Sequence, residues 1–226
     1  MLIAIDTATK YLGLALYDEQ TLIAEQMWRT GNKHNALLAP SIQQLLDTCS
    51  VNTSDLTMVA VANGPGSYTG LRIGVAMAKG LAAVKQLPLI GVNTLDIIAN
   101  GQNIDEIAYP LLCVLPAGRK RIIVGEYRYS NGQWQASTDP QTTTWDDLLA
   151  SLEAKTYHIA GEIEAVGLKA IESFSNDAIT LKLVSVAHRG RRMAVLAEVA
   201  WQTYYSNNPD DFLPAKLAPM YLTEPG

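Results

Sequence analysis

Asp6 closes an apolar run, "LIAID", and Thr7 and Thr9 follow it in "TATK". A carboxylate and two hydroxyls on one turn could hold a metal-bound phosphate, which makes Asp6, Thr7 and Thr9 the best phosphate-site candidate in the chain. The turn carries no glycine, and close approach of backbone to phosphate generally needs one. Two readings therefore stand for Asp6: a weak or vestigial nucleotide site able to take ATP or ADP, or a strand-end turn former.

A second stretch, "ANGPGSYTGLRIGVAMAKGLA" over residues 62–82, has the glycines of a phosphate loop without its spacing. A Walker loop places lysine directly after its second glycine, whereas Gly70 is followed by Leu71 and the nearest lysine is Lys79. A dinucleotide fingerprint also fails, because Gly70 comes one residue too late after Gly64 and Gly66. Ser67 lacks the strained Gly-x-Ser-x-Gly setting of a nucleophile elbow, so Ser67 and Thr69 read as loop and helix-capping groups.

Metal ligation has little to work with. His34, His158 and His188 are scattered, with no pair spaced to share one turn or one helix face. The acidic pairs Asp146/Asp147 and Asp210/Asp211 read as helix-start or turn residues rather than as an acid/base couple. Cys49 and Cys113 are far apart and read as reduced thiols. Trp201, Tyr204 and Tyr205 fall among apolar residues of a last helical stretch and read as packing groups.

These residues must be carried by regular elements, and the pattern supplies them. Apolar runs at residues 2–5, 12–17 and 22–28, parted by short polar turns, predict a three-stranded meander. A helical period begins near His34, with Pro40 compatible only if it lies in the first turn. A strand at 57–62, the glycine loop, a small-residue helix ending near Gln86 and a short strand in "LPLIGV" complete the unit. The order β-β-β-α-β-α-β recurs more faintly from "YPLLCVLP" to "ITLKLV", before a final helix over 191–205 and a proline-rich arm. This is a duplicated ribonuclease-H-like α/β fold, as in the actin, Hsp70 and sugar-kinase superfamily. The expected lobes are residues 1–100, and residues 101–226 with the last helix and arm in the second lobe.

Composition limits the partners. The chain of 226 residues carries 17 basic and 22 acidic side chains, a formal charge of -5. A net negative surface does not bind nucleic acid unaided, and the basic clusters at 118–121 and 188–192 read as solvated turns. No apolar run reaches membrane-span length, and "MLIAID" lacks the basic start of a secretory signal, so the expected location is the cytoplasm.

The small-residue helix poses a packing question. Gly74, Ala78 and Ala82 leave one side bare and Ala76, Gly80 and Ala83 the other, and each interior glycine costs about 1 kcal/mol relative to alanine. Close approach of another backbone would offset that cost. One side must face its own sheet; the second bare side points to a neighbouring helix and beyond it to a partner molecule.

Together "MLIAIDTAT", "ANGPGSYTGLRIGVAMAKGLA" and "PLIGVNTLDIIA" resemble the TsaB (YeaZ) family, small bacterial paralogues of the catalytic TsaD subunit. The resemblance is specific over the first hundred residues and weaker beyond. Pro116 stands where the family tends to have an acid, beside Ala117 and Arg119, and "PMYLT" puts Thr223 where an arginine is usual.

The resemblance implies a scaffold for forming threonylcarbamoyladenosine in ANN-decoding tRNAs. Its implied partners are a TsaD-like subunit, a TsaE-like ATPase, tRNA through the complex, and a second copy of the chain in isolation. TsaD-like subunits bind metal through a histidine pair; Thr94 and Ile98 stand there in "VNTLDII", so the resemblance implies no metal and no catalysis. Family pairing runs through first-lobe helices, which puts the expected contact on Leu71, Gly74, Val75, Ala78, Leu81 and Ala82, with Leu38, Ile42 and Leu45 from the preceding helix. The alternative is an enzyme: a nucleotide-dependent phosphotransferase using Asp6, or a glycoprotease-like hydrolase of peptidase family M22.

Overall fold

The computed structural model describes residues 1–19, 21–105 and 110–222. Two compact units emerge, Met1–Thr94 with Arg192–Tyr221, and Leu95–Arg191 with Leu222.

The first unit is built on strands β1 (Leu2–Asp6), β2 (Tyr11–Asp18), β3 (Thr21–Arg29), β4 (Met58–Gly64) and β5 (Leu89–Asn93), ordered β3-β2-β1-β4-β5. The meander pairs antiparallel and β1, β4 and β5 pair parallel. Alternation along β1 and β2 sends Ile3, Ile5, Leu12, Leu14 and Leu16 into one core with helices α1 (His34–Thr48) and α2 (Tyr68–Lys85). His34 starts α1: its Nε2 lies 3.0 Å from the Tyr11 carbonyl and 3.2 Å from Thr30 Oγ1, tying the helix to the ends of β2 and β3. Pro40 sits in the second turn of α1, not the first as expected. Pro40 and Ala36 lie on the exposed side of the helix, so water can reach the Ala36 carbonyl that the proline leaves without its helical donor.

The second unit repeats the plan. Strands β6 (Leu111–Gly118), β7 (Arg121–Ser130), β8 (Gln133–Ala136), β10 (Thr156–Gly161) and β11 (Thr180–Leu183) run in the order β11-β10-β6-β7-β8. Helices α4 (Trp145–Ser151) and α5 (Ala165–Ser173) accompany them, with Trp145, Leu148 and Ala170 packing on Leu112, Val114 and Ile159. β6/β7 and β7/β8 are antiparallel while β6/β10 and β10/β11 are parallel, matching the first sheet strand for strand. Two elements go beyond the expected order: β9 (Gln141–Thr144), which pairs with β7, and α3 (Thr94–Asn100), whose Leu95 and Ile98 enter the second core. The expected duplicated ribonuclease-H-like fold is the fold observed.

Helix α6 (Met193–Ser206) corrects the expected lobe boundary. It packs on β1, β2 and β5 and belongs to the first unit. Glu25 on β3 caps it, its Oε1 accepting from the backbone N–H of Met193 at 2.6 Å and of Ala194 at 3.1 Å. A carboxylate at a helix N-terminus satisfies free donors and meets the positive end of the helix dipole. Gly13 completes the seat, since a Cβ there would strike the Met193 side chain. Thr223 lies outside the described residues.

Candidate functional site

The phosphate-site candidate is a closed turn. Asp6 and Thr7 are buried and Thr9 is 8% exposed. The Asp6 carboxylate accepts from the Ala8 N–H at 2.8 Å, and the Thr7 hydroxyl donates to the Gly70 carbonyl at 2.7 Å. The glycine loop lies directly on this turn. A Cβ on Gly66 would come to 2.3 Å from the Ala8 carbonyl oxygen, one on Gly70 to 2.1 Å from the Thr7 carbonyl oxygen, and one on Gly74 to 2.3 Å from Thr7 Oγ1. Ser67 N–H donates to the Ala8 carbonyl at 2.7 Å, and the Ser67 hydroxyl caps α2 by accepting from Gly70 N–H. The three glycines let chain meet chain, and the groups proposed for a phosphate are turned to internal hydrogen bonds.

That arrangement also corrects the expected contact face of α2. Leu71, Gly74, Val75, Ala78 and Ala82 are buried against their own sheet, together with Leu38, Ile42 and Leu45 of α1. These residues lie in the buried interior of the first unit, and of them only Leu38 reaches the floor of a surface groove. Of the expected set only Leu81 is half-buried. The physical reason is that Gly74 approaches the Thr7 turn of its own chain, not the backbone of another molecule.

The opposite side of α2 is open. A Cβ on Gly80 would meet nothing within 4 Å. Gly80, Ala76, Ile73, Met77 and Arg72, with Asn35 of α1, line a groove of about 710 Å³ between the two helices, floored by Leu38 and Leu81. Its rim is an ordered ladder: Arg72 donates to the Tyr68 hydroxyl at 2.9 Å, and its guanidinium sits 5.2 Å from the Tyr68 ring centre. Every charge on α2 is positive, Arg72, Lys79 and Lys85, on a chain of net charge -5. The sequence already shows this side bare through Ala76 and Gly80, and Tyr68 and Arg72 extend it at the four-residue step of a helix side.

The remaining candidates stay apart. Among the described residues no group of three or more His, Cys, Asp or Glu is placed to hold a metal. Thr94 and Ile98 are fully buried. Asp146 and Asp147 sit in the first turn of α4, where Thr144 caps the Asp147 N–H, and Asp210 and Asp211 lie in a short 3-10 turn at Pro209–Phe212. Trp201, Tyr204 and Tyr205 form an aromatic cluster with Tyr17 and Phe212.

In the second unit Tyr127 and Asp96, which the sequence did not single out, form a part-buried polar pair. The Tyr127 hydroxyl donates to Asp96 Oδ1 at 2.6 Å, and burial raises the pKa of Asp96, of Tyr127 and of the nearby Cys113 thiol. Raised values keep the tyrosine and thiol protonated, which suits an internal anchor and not a nucleophile.

Comparison with known proteins gives a consistent picture. The family model for TsaD, tRNA N6-adenosine threonylcarbamoyltransferase, matches residues 29–225. The Bacillus subtilis tRNA threonylcarbamoyladenosine biosynthesis protein TsaB is 37% identical over 155 residues, 68% of this chain and 66% of that protein. The Escherichia coli protein of the same description is 36% identical over 134 residues, 59% of this chain and 58% of that protein. The chain thus matches 58–66% of the length of these curated relatives. A Pseudomonas aeruginosa protein described as similar to peptidase YEAZ superposes with a TM-score of 0.76 at 22% identity, covering 98% of this chain and 99% of that one. At that identity the likeness shows the fold alone.

Proposed function

The chain belongs to the TsaD family, on its TsaB (YeaZ) branch, and from that premise we propose that it is a non-catalytic scaffold subunit in the synthesis of threonylcarbamoyladenosine in tRNA. It pairs with a TsaD-like catalytic subunit in the cytoplasm, and a TsaE-like ATPase joins the pair. In isolation two copies associate through the same face.

One observation carries the reading: the open groove between α1 and α2, with Gly80 bare toward solvent above a fully packed inner side. An interior glycine in an exposed helix costs about 1 kcal/mol, and the approach of a partner's backbone offsets that. Helix α2, with 18 residues, is roughly 27 Å long, enough with α1 to supply the ~800 Å² per partner of an ordinary interface. Non-catalytic status draws support from Thr94 and Ile98, neither able to replace a histidine pair, and from the inward hydrogen bonds of Asp6 and Thr7. The same bonds favour a role without bound ATP or ADP. The partner reads the tRNA, consistent with the acidic balance of this chain.

The test is reconstitution of tRNA modification with the catalytic subunit and ATPase, omitting and then restoring this chain. Modification should require it. Undiminished modification without it, or ATP turnover by the isolated chain, would defeat the scaffold role.

A further inference from the structure

Beyond the last helix, the arm through Leu217 and Tyr221 lies on the first sheet in a seat made for it. A Cβ on Gly64, whose φ is +123°, would come to 2.3 Å from the Met220 carbonyl oxygen, and one on Gly91 to 2.4 Å from Leu217 Cδ1. Met220 N–H donates to the Asn63 carbonyl at 2.6 Å, tying the arm to the C-terminal end of β4. A glycine at the end of β4 and one in the middle of the neighbouring β5 thus admit the backbone and a leucine side chain of the arm. The next residue, Tyr221, leaves the seat and stacks on Tyr68 at the start of α2, ring centres 4.9 Å apart and planes tilted by 34°. Tyr68 in turn holds Arg72 by a hydrogen bond and by its ring face. Both tyrosines keep a free side, at 58% exposure for Tyr68 and 45% for Tyr221.

We propose that Tyr221 is a docking residue: the arm delivers its ring to the end of the α1/α2 groove, where Tyr221, Tyr68 and Arg72 form one preordered wall for the partner subunit. The inference rests on the docking role of that groove. Tyrosine and arginine are the side chains that most often dominate interface energetics. Long side chains ordinarily lose rotamer freedom on docking, and here stacking and the Arg72 bond have already taken it, leaving more of the contact as affinity. The chemistry also states what the partner presents: an apolar side chain against the exposed tyrosine rings and a carboxylate in reach of Arg72, on a surface whose acid complements the all-basic α2. The arm therefore joins the docking surface from the far end of the sequence, 153 residues from Tyr68 in number (221 minus 68) and adjacent to it in space.

The experiment is calorimetric titration of the whole chain against the purified TsaD-like catalytic subunit, with thermal melting of each variant in parallel. Tyr221→Ala should bind about tenfold more weakly and melt with the wild type. Tyr221→Phe should bind like the wild type, because the ring and not the hydroxyl makes the stack. Gly80→Glu, in mid-groove, serves as the reference for the groove itself and should abolish measurable binding. Wild-type affinity in Tyr221→Ala beside lost affinity in Gly80→Glu overturns the role of the arm alone. A loss in Tyr221→Ala that phenylalanine does not restore, or that follows a lowered melting temperature, overturns it as well. Wild-type affinity in Gly80→Glu removes the groove as the docking site and the arm's contribution with it.

Discussion

Helix α2 has two bare sides, and they serve opposite ends. On the inner side Gly74 lies against Thr7, Ala78 and Ala82 lie on the sheet, and the lack of bulk lets the turn after β1 reach the helix. On the outer side a Cβ on Gly80 would meet nothing within 4 Å, and Ala76 and Gly80 leave a trough flanked by Met77 and Ile73. The same residue types at the same spacing thus close a cavity on one side and hold a surface open on the other. Small residues in a helix report that something comes close; only the positions of the neighbours tell whether it belongs to the same chain.

Substitutions at matched positions sharpen that contrast. The largest effect belongs to Ala78→Glu, which would bury an unpaired carboxylate in the core of the first unit. It should cost more than about 4 kcal/mol, seen as loss of cooperative folding in urea; a folded variant that merely fails to pair would mean Ala78 faces outward after all. Next comes Gly74→Ala. Its Cβ must displace Thr7 Oγ1 and the bond that hydroxyl makes to Gly70, a net loss of about 1–3 kcal/mol despite the better helix former. Denaturant midpoints should show it, and unchanged stability would break the inner-side account.

Gly80→Glu should leave the midpoint unmoved or raised, while pairing with the catalytic subunit falls below detection, as read by sedimentation. Smallest is Gly80→Ala, which meets open space and should stabilise the isolated chain by up to about 1 kcal/mol. A destabilised Gly80→Ala would show that the outer side is not free.

Much of the fold was legible because its signals are local. The apolar runs of β1, β2 and β6 mark strands wherever they fall, and the repeated order of the elements carries the duplicated topology. What was missed depends on distant or unpatterned residues. Strand β9, "QTTT", has no apolar residue to announce it. Helix α3 follows β5 without an intervening turn, so no loop signal separates them. Helix α6 belongs to the first unit because Glu25, 168 positions before Met193, caps it. The exchanged faces of α2 have the same origin: the neighbour of Gly74 is Thr7, 67 positions earlier (74 minus 7), and no helical period can reveal it. Asp6, Thr7 and Thr9 were visible as polar residues at a strand end, but their inward hydrogen bonds depend on the loop that covers them.

The docking role proposed for the outer side of α2 is tested by tRNA threonylcarbamoylation in a reconstituted system supplied with either the wild-type chain or Gly80→Glu at equal folded concentration. Modification is expected with the first and near-background product with the second, although both chains fold equally well. Equal product from both would contradict that role.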